Sequence, residues 1–211
     1  MDSVQIDKNH YDFLKYENIN RFASYYFQLK TVIELNPKNI LEIGKGSGFF
    51  YREIKNQGID IKVADFDESL NPDYVADVKN LPFEDNSFEC ICAFQILEHL
   101  PFDDFKISLK ELKRVSLKYI FISLPDKGRY IKIDLRLPKI KTIKKLYDIS
   151  NFKRDIHIFN GEHYWEINKI GYEEKKIQNL LTDNKWNIIL NNRLFENPYH
   201  RFYLLEKNTN E

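Results

Sequence analysis

Between the apolar run Asn39-Ile-Leu-Glu-Ile43 and a segment of helical spacing that begins at Phe49, the chain places glycines at alternate positions, Gly44, Gly46 and Gly48. Alternate glycines let a backbone turn tightly and approach a ligand that any Cβ would hold off. The helix-compatible stretch runs from Phe49 to Gln57 and stops at Gly58, a residue suited to the left-handed cap of a helix. Strand, glycine loop, helix is the resulting unit, and it points to a layered α/β fold with a ligand at the strand's carboxyl end. A dinucleotide fingerprint would want its third glycine one residue later, where Phe49 stands. The spacing and the preceding acid Glu42 favour instead a ligand with an amino-acid end.

The remaining sequence repeats the alternation. Strand-like runs fall at Ile61–Phe66, Tyr74–Val78, Phe88–Phe94 and Tyr119–Leu124, with a helix opened by Asp103 and Asp104 and striped by Phe105, Leu109, Leu112 and Val115. A helix through Ile177, Leu180 and Leu181 precedes two strands, Asn187–Phe195 and His200–Glu206, joined at Asn197-Pro198 as a hairpin. Apolar spacing from Ile19 to Leu35 predicts a further helix ahead of the first strand. The expected architecture is a Rossmann-like, doubly wound α/β sheet of seven strands, mostly parallel with an antiparallel terminal strand. It forms one domain over 1–211, with an N-terminal helical segment, 1–38, and a cap insertion after the fifth strand, 126–166. Within that insertion Asp155–Phe159 and Glu162–Glu166 flank Asn160-Gly161, the signature of a tight hairpin.

Composition narrows the partners. The chain carries 32 basic and 32 acidic side chains in 211 residues, a formal charge of zero, which argues against a nucleic-acid binder held by long-range attraction to phosphates. The insertion is locally basic, and Arg129, Arg136 and Arg154 would matter if the acceptor were a phosphorylated sugar or lipid. Cys90 and Cys92 lie two apart in an apolar run and read as buried thiols. No apolar run reaches the ~18 residues of a membrane span, and the N-terminus lacks a signal-peptide core, so a cytoplasmic protein is expected.

These motifs together carry a resemblance. Ile40 to Gly48 resembles the first motif of the class I S-adenosylmethionine-dependent methyltransferases, and further matches follow in order. Asp65 falls where that family places the acid accepting hydrogen bonds from the ribose hydroxyls, with Phe66 beside it and Asp67 a near alternative. Asp77 and Val78 resemble the adenine contacts, and the main chain at Phe94 and Gln95 resembles the part that meets the methionine end. The resemblance thus implies S-adenosyl-L-methionine as cofactor, bound by Glu42, Gly44, Gly46, Gly48, Asp65, Phe66, Asp77, Val78, Phe94 and Gln95. It implies transfer of a methyl group to a small or medium-sized acceptor such as a sugar, a lipid or another metabolite. The alternatives are a non-catalytic cofactor-binding or regulatory protein of the same fold, and a nicotinamide-dependent oxidoreductase, which Phe49 opposes.

For an oxygen or amine acceptor a base is useful, and histidine titrates nearest neutral pH. His163, in the cap, is the preferred candidate, with His99, His157 and Asp126 at the end of the fifth strand behind it. The Leu97-Glu98-His99 triplet also reads as a shaping element beside the cofactor. No metal ligand set is expected. Asn197-Pro-Tyr199 is similar to an amino-methylating motif of nucleic-acid enzymes but sits between the last two strands, so it reads as a turn.

Overall fold

The computed structural model describes residues 12–208 apart from 137 and 140. A short helix α1 (Phe13–Tyr16) and a long one, α2 (Ile19–Leu35), lead into β1 (Asn39–Ile43), α3 (Phe49–Asn56), β2 (Asp60–Asp65), β3 (Tyr74–Val75) and β4 (Phe88–Phe94). Then come α4 (Phe102–Val115), β5 (Ser116–Pro125), β6 (Tyr130–Leu135), β7 (Ile143–Asp148), α5 (Glu174–Leu181), β8 (Trp186–Arg193) and β9 (His200–Lys207). Residues 1–11 of the expected N-terminal segment lie outside the described part.

The main sheet has seven strands in the order β3-β2-β1-β4-β5-β9-β8. β1 pairs in parallel with both β2 and β4, so the chain winds away from β1 in two directions and leaves a crevice at the carboxyl ends of β1 and β4. The single antiparallel strand is β9, which runs against β5 on one side and β8 on the other. Continuous apolar runs such as Cys90-Ile-Cys-Ala93 are buried because helices cover both faces of a parallel sheet. One core layer packs Leu41, Ile91, Ile120 and Tyr203 against α4 and α5, and the opposite layer packs Ile40, Cys92, Phe121 and Phe202 against α2 and α3. Cys90 and Cys92 are free, buried and on one face of β4, as alternation along a strand requires. No helix among the described residues is long and apolar enough to cross a membrane.

Two expectations need correction. The third strand ends at Val75, not Val78, because the Ala76 amide bonds back to Asp65 and Asp77 closes a turn onto Asn80. The hairpin of the insertion lies elsewhere: β6 and β7 pair antiparallel in a separate two-stranded ribbon. Asn160-Gly161 does turn the chain, with Gly161 at φ +95° and the Asn160 side chain accepting from the amides of Glu162 and His163. The flanking residues do not pair with each other as strands, because neighbouring segments take their hydrogen bonds. The Tyr164 amide donates to the Glu98 carbonyl at 2.9 Å, and the Trp165 indole donates to the Leu100 carbonyl at 3.1 Å. Trp165 is fully buried against Phe102 and Phe105. Burying an indole of about 150–250 Å² contributes about 4–6 kcal/mol, enough to pin this segment over α4.

Candidate active site

The glycine loop takes the shape its sequence demands. Gly44, Gly46 and Gly48 all lie at positive φ, and a Cβ on Gly44 would stand 2.2 Å from the Ile96 side chain that follows β4. Gly48 caps α3 from the left-handed region. Just before the loop, Glu42 is buried on β1, and its Oε2 has no hydrogen-bond partner among the described residues. Burial, reinforced by the nearby Asp65 charge and only partly offset by Lys45, pushes the Glu42 carboxyl well above the usual carboxylate range. A cationic amino group brought beside it would favour the charged form again.

Asp65 ends β2 and faces the same loop. Its Oδ2 accepts from the Lys45 amide at 2.6 Å and its Oδ1 from the Asp67 amide at 2.9 Å, and each oxygen keeps a further lone pair. Burial raises its pKa, against the lowering effect of these main-chain bonds. Asp67 is committed instead to capping the turn Glu68–Leu70 through the Ser69 amide, so of the two acids Asp65 is the one turned to the loop. Phe66 is half exposed beside it, a flat apolar surface open to a ligand. Asp77 is partly exposed in its turn, accepting from the Lys79 amide at 2.9 Å, while Val78 is buried.

On the other side of the crevice, Gln95 follows β4 at φ +54°, fixed by a bond from its amide to the Ser123 carbonyl and from its side chain to the Ser123 hydroxyl. The Phe94 ring packs edge-on against Phe50 and Phe121, leaving its main chain as the part that borders the crevice. A 3-10 turn, Leu97–His99, comes next and brings Glu98 and His99 beside His163. His99 Nδ1 donates to the Glu162 carbonyl at 2.9 Å, and its ring lies 5.0 Å from that of His163. His163 Nδ1 in turn donates to Glu166 at 3.1 Å, and Tyr199 donates to the same carboxylate at 2.7 Å. His157, the further candidate, donates from Nε2 to the His163 carbonyl. Burial opposes a charge on His163, yet the bond to Glu166 and the fields of Glu98, Glu166 and Glu162 outweigh it and raise its pKa. Burial likewise opposes the Glu166 charge, but bonds from His163 and Tyr199 hold that carboxyl below its ordinary value. Glu98 is fully buried, which pushes its pKa up to about 7, and neither carboxylate oxygen has a hydrogen-bond partner among the described residues.

His163 and His99 are therefore brought together, although 64 positions apart in sequence would not have shown it. Sequence reasoning missed Glu98, Glu166 and Tyr199 as participants, and it missed the helical cover. Tyr25 on α2 stacks on Phe49 and lies 3.3 Å from the Ser47 hydroxyl within the glycine loop. The one available signal was the spacing of His163 and Glu166, three residues apart.

Asp126 is a correction. It does end the fifth strand, but it is buried with both oxygens occupied: Oδ1 accepts from the Gly128 amide and the Asn168 side chain, and Oδ2 accepts from Arg201 at 2.6 Å. It anchors a network with Arg193, Arg201 and Asp148, and its side chain is wholly enclosed there rather than open to an acceptor. The flagged arginines do not converge either. Arg129 and Arg136 are exposed, while Arg154 lines a cavity of about 620 Å³ with Arg193, Arg201, Asp148 and Glu174. None of the glycine-loop residues lines that cavity.

Comparison with known proteins agrees with the geometry. Residues 41–118 match the family described as a methyltransferase domain. The chain is 26% identical over 189 residues to the demethylmenaquinone methyltransferase of Thermotoga maritima, covering 80% of this chain and 77% of that protein. Among solved structures it is similar to an S-adenosylmethionine-dependent methyltransferase from Clostridium acetobutylicum, with a TM-score of 0.60 and 12% identity over 94% of this chain and 96% of the other. It is equally similar in TM-score, 0.60, to the 1,6-didemethyltoxoflavin-N1-methyltransferase of Burkholderia thailandensis, at 15% identity over 96% of this chain and 83% of that one. The matched residues 41–118 run from β1 into β5 and so contain the glycine loop, and the sheet around them has the fold of these solved methyltransferase structures.

Proposed function

We propose that the chain binds S-adenosyl-L-methionine along the carboxyl ends of β1, β2 and β4 and methylates a small or medium-sized acceptor beneath residues 126–166. The observation that carries this reading is Glu42: a buried carboxyl oxygen without a partner among the described residues, next to a loop whose first glycine has no room for a side chain. An orphaned acid at that place is costly unless a ligand completes it, and an α-amino group is the natural complement. Asp65 offers lone pairs to the ribose hydroxyls, Phe66 offers apolar surface and the Val78 main-chain amide faces the adenine ring, and Asp77 offers an acceptor to its exocyclic amine. The main chain of Phe94 and Gln95 borders the methionine end.

The cofactor, when bound, supplies an electrophilic methyl group, so the work of these residues is to position the acceptor and exclude water. Tyr25 and Phe49 close one side, and the segment 157–166 closes the other through its bonds to Glu98, His99 and Leu100. His163 stands on the acceptor side with Glu166 behind its Nδ1, an arrangement that fixes the ring's tautomer and leaves Nε2 to receive a proton or orient an acceptor. The demethylmenaquinone and didemethyltoxoflavin methyltransferases among the similar proteins support a small-molecule acceptor. The test is label transfer from methyl-labelled donor to small molecules of a cell extract. Labelling that depends on the chain and falls with Asp65→Ala supports the reading, and a chain that binds donor without transferring label to any fraction overturns it.

A further inference from the structure

The group formed by Glu98, His99 and His163 has a feature that methyl transfer does not explain. One ligand-type atom from each lies within 4.8 Å of those of the other two. Glu98 is fully buried, yet among the described residues neither of its oxygens takes a hydrogen bond, not even from the imidazole of His163 that it faces. A buried carboxylate this close to two imidazoles, too far for hydrogen bonds and too enclosed for bulk water, is complete only with something between them.

The surroundings say what that something is. Each imidazole is gripped at Nδ1 from behind, His99 by the Glu162 carbonyl and His163 by Glu166, and Glu166 is itself held by Tyr199. Such outer partners fix the tautomer in which Nε2 is the coordinating nitrogen, as they do for metal-bound histidines. We infer that Glu98, His99 and His163 form a site for one divalent first-row transition ion, of the two-imidazole, one-carboxylate kind. Imidazole nitrogens favour zinc, iron, cobalt or nickel over magnesium or calcium, which prefer all-oxygen shells. Ligand atoms about 2.0–2.1 Å from a tetrahedral zinc ion stand about 3.3 Å from one another, so atoms now up to 4.8 Å apart draw together by up to about 1.5 Å on binding. His99 and His163 are only partly buried, which leaves the ion's remaining positions open on the crevice side to water or to an oxygen or nitrogen of the acceptor. The ion then occupies His163 Nε2, and His163 acts by holding it rather than by taking a proton. This rests on the proposed position of the acceptor but not on the identity of the cofactor.

The experiment is a titration of full-length, chelator-stripped protein with Zn²⁺ and, for its visible spectrum, Co²⁺. Expected are one equivalent bound per chain and the absorption bands of a low-symmetry cobalt site. Glu98→Gln, which keeps shape and removes charge, and His163→Ala should each weaken binding at least about 100-fold, and Tyr199→Phe, which loosens only the outer support, about tenfold. Circular dichroism and binding of S-adenosylhomocysteine check that each variant is folded, and the latter also keeps failure here separate from failure of the cofactor assignment. No stoichiometric binding by the folded wild type, or binding indifferent to Glu98→Gln and His163→Ala, overturns the site.

Discussion

Gly44→Ala isolates the physical demand of the loop. The residue sits at φ +79°, where a non-glycine L-residue costs about 1–2 kcal/mol. The new Cβ would also stand 2.2 Å from Ile96 Cδ1 and 2.5 Å from Ile96 Cγ1, so either that side chain or the loop must move, an overpacking cost of about 1–3 kcal/mol. The total is about 2–5 kcal/mol. Gly58 provides an internal control: it has nearly the same φ, +77°, with nothing within 4 Å of its would-be Cβ. Gly58→Ala should therefore lose only the conformational part, about 1–2 kcal/mol. Urea unfolding of both variants reads the difference, and calorimetry with S-adenosylhomocysteine should show affinity lost in Gly44→Ala and kept in Gly58→Ala. Adding Ile96→Ala to Gly44→Ala should return part of the stability by making room. Equal unfolding midpoints for the two single variants, or no response to Ile96→Ala, would refute the steric reasoning.

Other expectations follow from particular contacts. Asp65→Ala should weaken S-adenosylhomocysteine binding by about 1–3 kcal/mol, because the ribose hydroxyl donors lose their acceptor, and an unchanged dissociation constant would show Asp65 to be misassigned. Asp126→Asn should cost about 1–3 kcal/mol in urea unfolding, because Arg201 loses one charge-assisted partner while Asp148 and Glu174 still hold it, with little change in ligand affinity; lost turnover at full stability would instead restore Asp126 as a base. His200 is held down to about 3 by burial and, secondarily, by Arg21, so the unfolded chain binds its proton more readily. Its contribution is intact above about pH 6.5 and fades as pH falls, amounting to about 2 kcal/mol by pH 5. Unfolding midpoints measured from pH 7.5 to 5 should show that slope in the wild type and a flatter one in His200→Gln.

The sheet was legible because its signals are local. Buried parallel strands such as Cys90–Ala93 are apolar throughout, helices such as α4 carry their buried stripe at spacings of three and four, and the glycine loop states its own conformation. The insertion was not, because its contacts are remote. Asn160-Gly161 makes the turn its residues call for, but whether the flanks pair depends on Glu98 and Leu100, more than sixty residues earlier. The real ribbon, β6 with β7, is exposed along both strands and so has no buried face to impose a clean alternation. Asp126 looked catalytic from its place at a strand end. Its partners Arg193 and Arg201, 67 and 75 positions away, are what show it to be structural. The isolation of Glu98 is likewise a property of the assembled turn and cap.

Calorimetry of the intact protein with S-adenosylhomocysteine, and with NAD as the competing nucleotide, bears most directly on the orphaned Glu42 and the glycine loop as a cofactor cradle. One-site binding of S-adenosylhomocysteine, abolished by Gly44→Ala and absent for NAD, is the predicted result. No heat from S-adenosylhomocysteine at millimolar concentration, or preference for NAD, would contradict it.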